Sequence, residues 1–187
     1  PQGPVEKAGE AQSTGTTIRF RPDEEIFETN EFDFDTLKKR FEETAYLNPG
    51  LEIVFRDERN AQEESFKFDG GIRRFVQDLN AGLTGIHEII GGSVEEEGVT
   101  VDFALQYNTG YKENVLTYAN NIRTKEGGTH LQGFKTALTR GLNNYIDKAD
   151  LPKKQKVKLS GDDVREGLTA VISVKLPKPQ FEGQTKT

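Results

Sequence analysis

The 187-residue chain contains no cysteine, no methionine and no tryptophan. Without cysteine there is no disulfide framework, no thiolate metal site and no thiol nucleophile, and nothing indicates an oxidising compartment. Without methionine, even at position 1, the sequence reads as an internal piece of a longer chain. Only His87 and His130 are present, far apart and without clustered ligands. That argues against a zinc centre and a histidine-based triad. No apolar run is long enough to span a bilayer. No charged-then-apolar targeting segment opens the chain. A cytoplasmic, soluble protein is the expectation. There is no Walker-type glycine loop, no internal repeat and no low-complexity tract.

Charge is present but uneven. The net charge is -6; residues 1–100 carry 11 Lys+Arg against 22 Asp+Glu, and residues 101–187 carry 14 against 9. A basic half inside an acidic protein can mark a nucleic-acid face. An ordinary solvated surface explains the same numbers. Any DNA contact would be local, because the chain as a whole is repelled from phosphate.

Periodicity predicts an α+β order of elements with mixed or mostly antiparallel pairing. Thr16 to Phe20 is β-branched and reads as a strand closed by Pro22. Asp33 or Asp35 caps a helix to about Tyr46, and Asn48-Pro49-Gly50 ends it. Leu51 to Phe55 and Ser65 to Phe68 alternate as a hairpin, with the charged stretch Arg56 to Glu64 as its connection. Gly70-Gly71 opens a helix that points Ile72, Phe75, Val76 and Leu79 inward. Ile86 to Val94, Val99 to Tyr107 and Asn114 to Ile122 read as strands. A long helix starts at Thr129, which has capping-box spacing with Gln132. Its apolar face is Leu131, Phe134, Leu138, Leu142 and Tyr145, and its exposed face Gln132, Lys135, Thr139 and Asn143. A linker with Lys153, Lys154, Lys156 and Lys158 follows. Ser160-Gly161-Asp162-Asp163 then starts a short helix, with carboxylates at its positive end. Thr169 to Leu176 is the last strand.

Few of these residues point to chemistry alone. Glu95-Glu96-Glu97 is simplest as a solvated hairpin tip, and Asp162-Asp163 as a helix start, so neither is assigned a metal. Gly127-Gly128-Thr129 can cradle an anion at a helix start, but a turn and cap explain it fully.

Four strings carry more. They are Ser13-Thr14-Gly15-Thr16-Thr17-Ile18-Arg19-Phe20-Arg21-Pro22, Gly127 to Phe134, Gly161 to Leu168, and Pro179-Gln180-Phe181-Glu182-Gly183-Gln184-Thr185-Lys186. In this order they resemble the ATPase subunits of bacterial type II topoisomerases. Gly161 to Gly167 favours the gyrase branch over topoisomerase IV. The resemblance implies that residues 1–30 end a GHKL-type ATP-binding domain. Residues 31–187 would form the transducer domain, similar to the second domain of ribosomal protein S5. That fold is a sheet with helices on one face and a left-handed βαβ crossover, an exception to the usual hand. ATP is the implied cofactor, with Mg2+ held by residues outside this chain. Lys186 corresponds to a catalytic lysine on the γ-phosphate, Gln184 to the amide beside it, and Thr16 to a threonine supporting the adenine. Lys135 corresponds to a DNA-binding basic position, usually arginine, so the fork geometry is lost while the charge stays. Implied partners are double-stranded DNA, the gyrase A protein in an A2B2 heterotetramer, and a second copy on ATP binding. The chain alone is expected to be inactive. From a different class, a non-enzymatic nucleic-acid-binding module with an S5-like fold is the alternative.

Overall fold

In the computed structural model, which describes residues 3–4, 6–29 and 31–182, the longest apolar strand pattern of the chain becomes the middle of a sheet. The elements run α1 (Phe34–Leu47), β1 (Ile53–Asp57), β2 (Gln62–Phe66), α2 (Gly71–Leu79), β3 (Ile90–Glu96) and β4 (Val99–Tyr107). Then come β5 (Asn114–Ala119), β6 (Ile122–Arg123), α3 (Thr129–Lys148), a 3-10 turn (Lys153–Gln155), α4 (Gly161–Arg165) and β7 (Leu168–Lys175). Strands β1 and β2 form a hairpin, and the other five form one sheet in the order β3-β4-β7-β5-β6. Among the described strands only β5 and β7 pair parallel, joined by the long connection that carries α3 and α4. The expected α+β class with mixed pairing is what is observed.

β7 is buried from Leu168 to Val174, which suits its nearly unbroken apolar run. Its alternate residues serve two cores. Val171 joins Tyr46, Leu47, Phe75, Val76, Ala104 and Tyr118 under α1 and α2. Leu168, Ala170, Ile172 and Val174 join Leu105, with Phe134 and Leu138 of α3 packed against them. Helices α1 and α2 therefore pack on one set of strand residues and α3 on the other.

Aromatic stacking seats α1. Tyr46 lies between Phe68 and Phe75, with ring centroids 3.7 and 4.4 Å away. Such pairs contribute about 0.5–1.5 kcal/mol each beyond their buried area. The Tyr46 hydroxyl donates to Asp78 at 2.5 Å. The hairpin docks through Phe55, which meets Phe34 and Phe41 of α1.

Several boundaries differ from expectation for identifiable reasons. The charged connection of the hairpin is largely strand, because Arg56 sits opposite Glu63 and bonds it at 2.5 Å. Opposite charges facing across a ladder support it. β3 starts at Ile90 instead of Ile86, because side chains take the ladder positions before it: the Tyr107 N–H donates to His87 Nε2 at 3.0 Å and Gln106 Nε2 donates to the His87 carbonyl at 2.7 Å. The strand expected over Asn114 to Ile122 is broken by Asn120 and Asn121, both at positive φ (47° and 64°). That pair makes the tight turn whose twist fits a two-residue hairpin. The capping box is absent at Thr129, where Gly128 is the N-cap without a side-chain bond. It forms at Ser160 and Asp163 instead.

The chain divides into two compact units, Pro1–Asp33 and Phe34–Thr187. In the first, residues 16–20 form no strand among the described residues, and Ile18 and Phe20 are 80% and 68% exposed. A β-branched pattern becomes a strand only beside another strand, and this unit supplies none. Asp23 instead organises a turn, accepting from the N–H groups of Glu25, Ile26 and Phe27.

Candidate functional site

Helix α3 carries the first candidate, Lys135. Helical spacing placed Lys135, Thr139 and Asn143 on the exposed side. The structure half-buries all three, while Tyr145, expected inward, is 69% exposed. Ile146 takes the inward place. The helix is thus rotated toward its polar flank, and hydrogen bonds explain why this is tolerated. The Asn143 amide both donates to the Leu159 carbonyl and accepts from the Leu159 N–H, at 3.0 and 2.8 Å. It fastens the lysine-rich linker back onto α3.

Lys135 has a partner of its own. Its Nζ lies 2.7 Å from Glu113, and its side chain is 26% exposed. Glu113 also accepts from Arg165 at 2.9 Å, and Arg165 reaches Asp162 at 2.7 Å. Partial burial works against the Glu113 carboxylate. The hydrogen bonds from Lys135 and Arg165 outweigh it, so its pKa lies below the ordinary value. Lys135 therefore ties α3 to the loop before β5, and its charge is already answered.

The outward side of α3 is different. Gly133 and Gly141 have open space where a Cβ would stand. Thr136, Ala137, Arg140, Asn144 and Lys148 are exposed beside them. Arg140 and Lys148 form no salt bridge among the described residues. Lys154, Lys156 and Lys158 extend the exposed cations beyond the helix, with Lys156 donating to the Asp147 carbonyl. The outcome is a flat, small-residue surface edged with positive charge, suited to a phosphate backbone. Arg140 was missed by the sequence reading; its place opposite Leu138 and Leu142 on the helical wheel was the available signal.

His130, in the first turn of α3, is an anchor. Its Nε2 lies 3.1 Å from the Thr124 hydroxyl, itself 2.7 Å from the Thr117 hydroxyl. Burial holds its pKa below the ordinary histidine value.

Of the other three candidates, Thr16 alone lies among the described residues. Thr16 is exposed in the first unit. Gln184 and Lys186 lie outside the described residues. What is described is the path that leads to them: β7 ends at Lys175, and Leu176 and Pro177 follow beside the β3–β4 turn, with Pro177 Cγ 4.0 Å from where a Gly98 Cβ would stand. Among the described residues no group of three or more His, Cys, Asp and Glu could hold a metal ion. No described helix is long and apolar enough to cross a membrane.

Comparison with known proteins gives consistent matches. The family model described as DNA gyrase B matches residues 71–187. The DNA gyrase B protein of Myxococcus xanthus is 54% identical over 188 residues, covering 100% of this chain and 23% of that protein. The gyrase B protein of Clostridium acetobutylicum is 51% identical over 98% of this chain and 29% of its own length. The chain thus spans about a quarter of the relatives it matches. Among solved structures, the 43K ATPase domain of Thermus thermophilus gyrase B superposes with a TM-score of 0.75 at 43% identity, covering 87% of this chain and 44% of that one. A Francisella tularensis topoisomerase IV ATP-binding domain gives 0.71 at 26% identity, covering 88% of this chain and 44% of that one.

Proposed function

This chain belongs to the DNA gyrase B family, and from that premise we propose that it is the transducing part of an ATP-dependent type II topoisomerase. Residues 1–30 are the end of the ATP-binding domain and residues 31–187 the transducer. Together with the remainder of the longer protein, they couple ATP binding and hydrolysis to passage of one DNA duplex through another and to negative supercoiling. The gyrase A protein supplies the partner for that reaction. By itself the chain is inactive.

The observation that carries this reading is the exit of β7. A strand buried on both faces ends at Lys175 and leads, through residues 176–183, to the segment containing Gln184 and Lys186. A lysine delivered from a rigid sheet can act on the terminal phosphate of ATP as a fixed positive charge. It needs no reorganisation when negative charge shifts in the transition state. Gln184 would add a hydrogen-bond donor beside it, and Thr16 would support the adenine from the other domain. Bound Mg2+ would neutralise phosphate charge, and its ligands belong to the rest of the longer protein. Double-stranded DNA is held along the outward cations of α3.

The test is Lys186→Ala in the full-length protein. Hydrolysis should fall a hundredfold or more, since such a cation is worth about 3 kcal/mol. ADP affinity should barely move, because a diphosphate leaves the lysine nothing to hold. Hydrolysis near the parent rate would defeat the reading. A topoisomerase IV protein is the second reading, favoured only by the structural likeness at 26% identity. Supercoiling by the reconstituted enzyme, as against decatenation alone, separates the two.

A further inference from the structure

The turn between β5 and β6 does more than reverse the chain. Asn120 stands there at φ 47°, and its N–H donates to the Val174 carbonyl at 2.8 Å. That bond continues the parallel pairing of β5 with β7. The side chain then carries the pairing one step further. Its Nδ2 donates to the Leu176 carbonyl, and its Oδ1 accepts from the Leu176 N–H, both at 2.9 Å. A side-chain amide thus imitates the backbone of a strand residue, one position past the end of β7. Pro177 and Pro179 follow, and proline has no N–H with which to extend a ladder. The amide clamp on Leu176 is the last strand-like pairing of β7.

We infer that Asn120 is a positioning residue for the nucleotide-sensing segment. It sets the direction in which the chain leaves the sheet toward Gln184 and Lys186. The inference rests on the reading of Lys186 given above and adds a residue outside that segment. The chemistry is selective. Only an amide offers one donor and one acceptor side by side, matching one backbone N–H and one C=O. Asparagine also tolerates the positive φ of this turn better than most residues. Asn121 shares the turn conformation (φ 64°), but its Nδ2 donates to Asn48 at 3.1 Å, away from Leu176. The two asparagines therefore separate turn formation from clamping.

The experiment compares Asn120→Gly, Asn121→Gly and Lys186→Ala with the parent in the full-length protein. Glycine keeps the backbone conformation and removes only the side-chain bonds. Four quantities are measured: kcat and KM for ATP hydrolysis, ADP affinity, melting temperature, and hydrogen exchange at the Leu176 amide. Asn120→Gly should speed exchange at Leu176 and lower kcat about tenfold. Melting temperature should stay within about 2 °C and ADP affinity unchanged. Asn121→Gly should leave Leu176 exchange and kcat near the parent. The proposal is overturned if Lys186→Ala abolishes hydrolysis while Asn120→Gly keeps kcat within about twofold. It is also overturned if kcat falls only together with melting temperature and ADP affinity. If Lys186→Ala itself leaves hydrolysis intact, the underlying reading fails, and that result identifies itself whatever Asn120→Gly does.

Discussion

Gly167 joins α4 to β7, and replacing it with alanine gives the sharpest test of how the functional loops are held. Its φ is +70°, and a Cβ there would stand 2.7 Å from the carbonyl oxygens of both Asn108 and Gly110. An ordinary carbon–oxygen contact is about 3.3 Å or more. Both obstacles are backbone, so neither can rotate away. The left-handed conformation costs an L-residue roughly 1–2 kcal/mol. Forcing a methyl into filled space costs roughly 1–3 kcal/mol more. About 3 kcal/mol is the expected loss, or roughly 6–12 °C in melting temperature for a unit of this size.

Two other glycines divide that loss into its parts. Gly98 is also left-handed, at φ +77°, but a Cβ would meet only Pro177 at 4.0 Å. Gly98→Ala should show the conformational strain alone, about 1–2 kcal/mol. Gly133 has nothing within 4 Å and lies within α3, so Gly133→Ala should stabilise by up to about 1 kcal/mol. Thermal unfolding followed by circular dichroism reads all three. Gly167→Ala melting within about 2 °C of the parent, or no lower than Gly98→Ala, would refute the steric argument. The change should also reach the site. The Asn108 N–H donates to the Gly167 carbonyl at 2.9 Å, and the same loop leads to Glu113, so loosening it should weaken the hold on Lys135.

Three further outcomes follow from named groups. His130 has a folded-state pKa lowered by burial from 6.5; its neutral form is favoured on folding, so the stability it contributes is present above pH 6.5 and is lost as pH falls below it. Urea midpoints taken from pH 8 down to pH 5 should decline, and His130→Gln should flatten that decline. In the full-length protein, Arg140→Ala should reduce the salt slope of DNA binding by about 1, whereas Lys135→Ala should change it less, because Glu113 already neutralises that charge; fluorescence titration at several salt concentrations would show the reverse order if Lys135 were the DNA contact. Tyr46→Phe removes the hydroxyl that bonds Asp78 and should cost about 1 kcal/mol in denaturant unfolding, with no change if that bond is only a surface contact.

How much of this was legible depended on whether a pattern answered to the chain itself or to a neighbour. α1, α2, β4 and β7 could be read from apolar period, because each buries the face that its own sequence marks. The hairpin of β1 and β2 was legible at Leu51 to Phe55 and Ser65 to Phe68, but its charged stretch from Arg56 to Glu64 read as connection until Arg56 was seen opposite Glu63. Pairs of opposite charge carry no apolar period. Thr16 to Phe20 has the composition of a strand, but a ladder needs a second strand, and propensity alone does not supply it. The rotation of α3 escaped prediction because Asn143 and Lys135 find polar partners on the inward side, Leu159 and Glu113. Neither partner is near them in sequence. The asparagine turn, like the place of Arg140 on α3, was a signal present and unread. Two adjacent asparagines between Ala119 and Ile122 favour the positive φ values observed.

The same distinction bears on how a signal would travel. Because β7 is buried on both faces, a slip of one residue would exchange its two sets of apolar side chains between cores. Val171 would face α3, and Ile172 would face α1 and α2. That exchange is too costly to serve as a switch, so β7 does not slide against β4 or β5. A pull or push arriving through residues 177–187 must then either stop where Asn120 grips Leu176 or move the five-stranded sheet as one body. On the proposed reading the second is what strand passage requires, since rigid-body rotation is how packed domains transmit small local shifts over distance. α3 would move with the sheet, being held by Phe134 and Leu138 and by Lys135 through Glu113. Its outward cations, Arg140 and Lys148, would then be displaced relative to DNA by the amount the sheet turns. On the proposed reading, the ion pair of Lys135 with Glu113 is therefore part of what makes the helix follow the sheet.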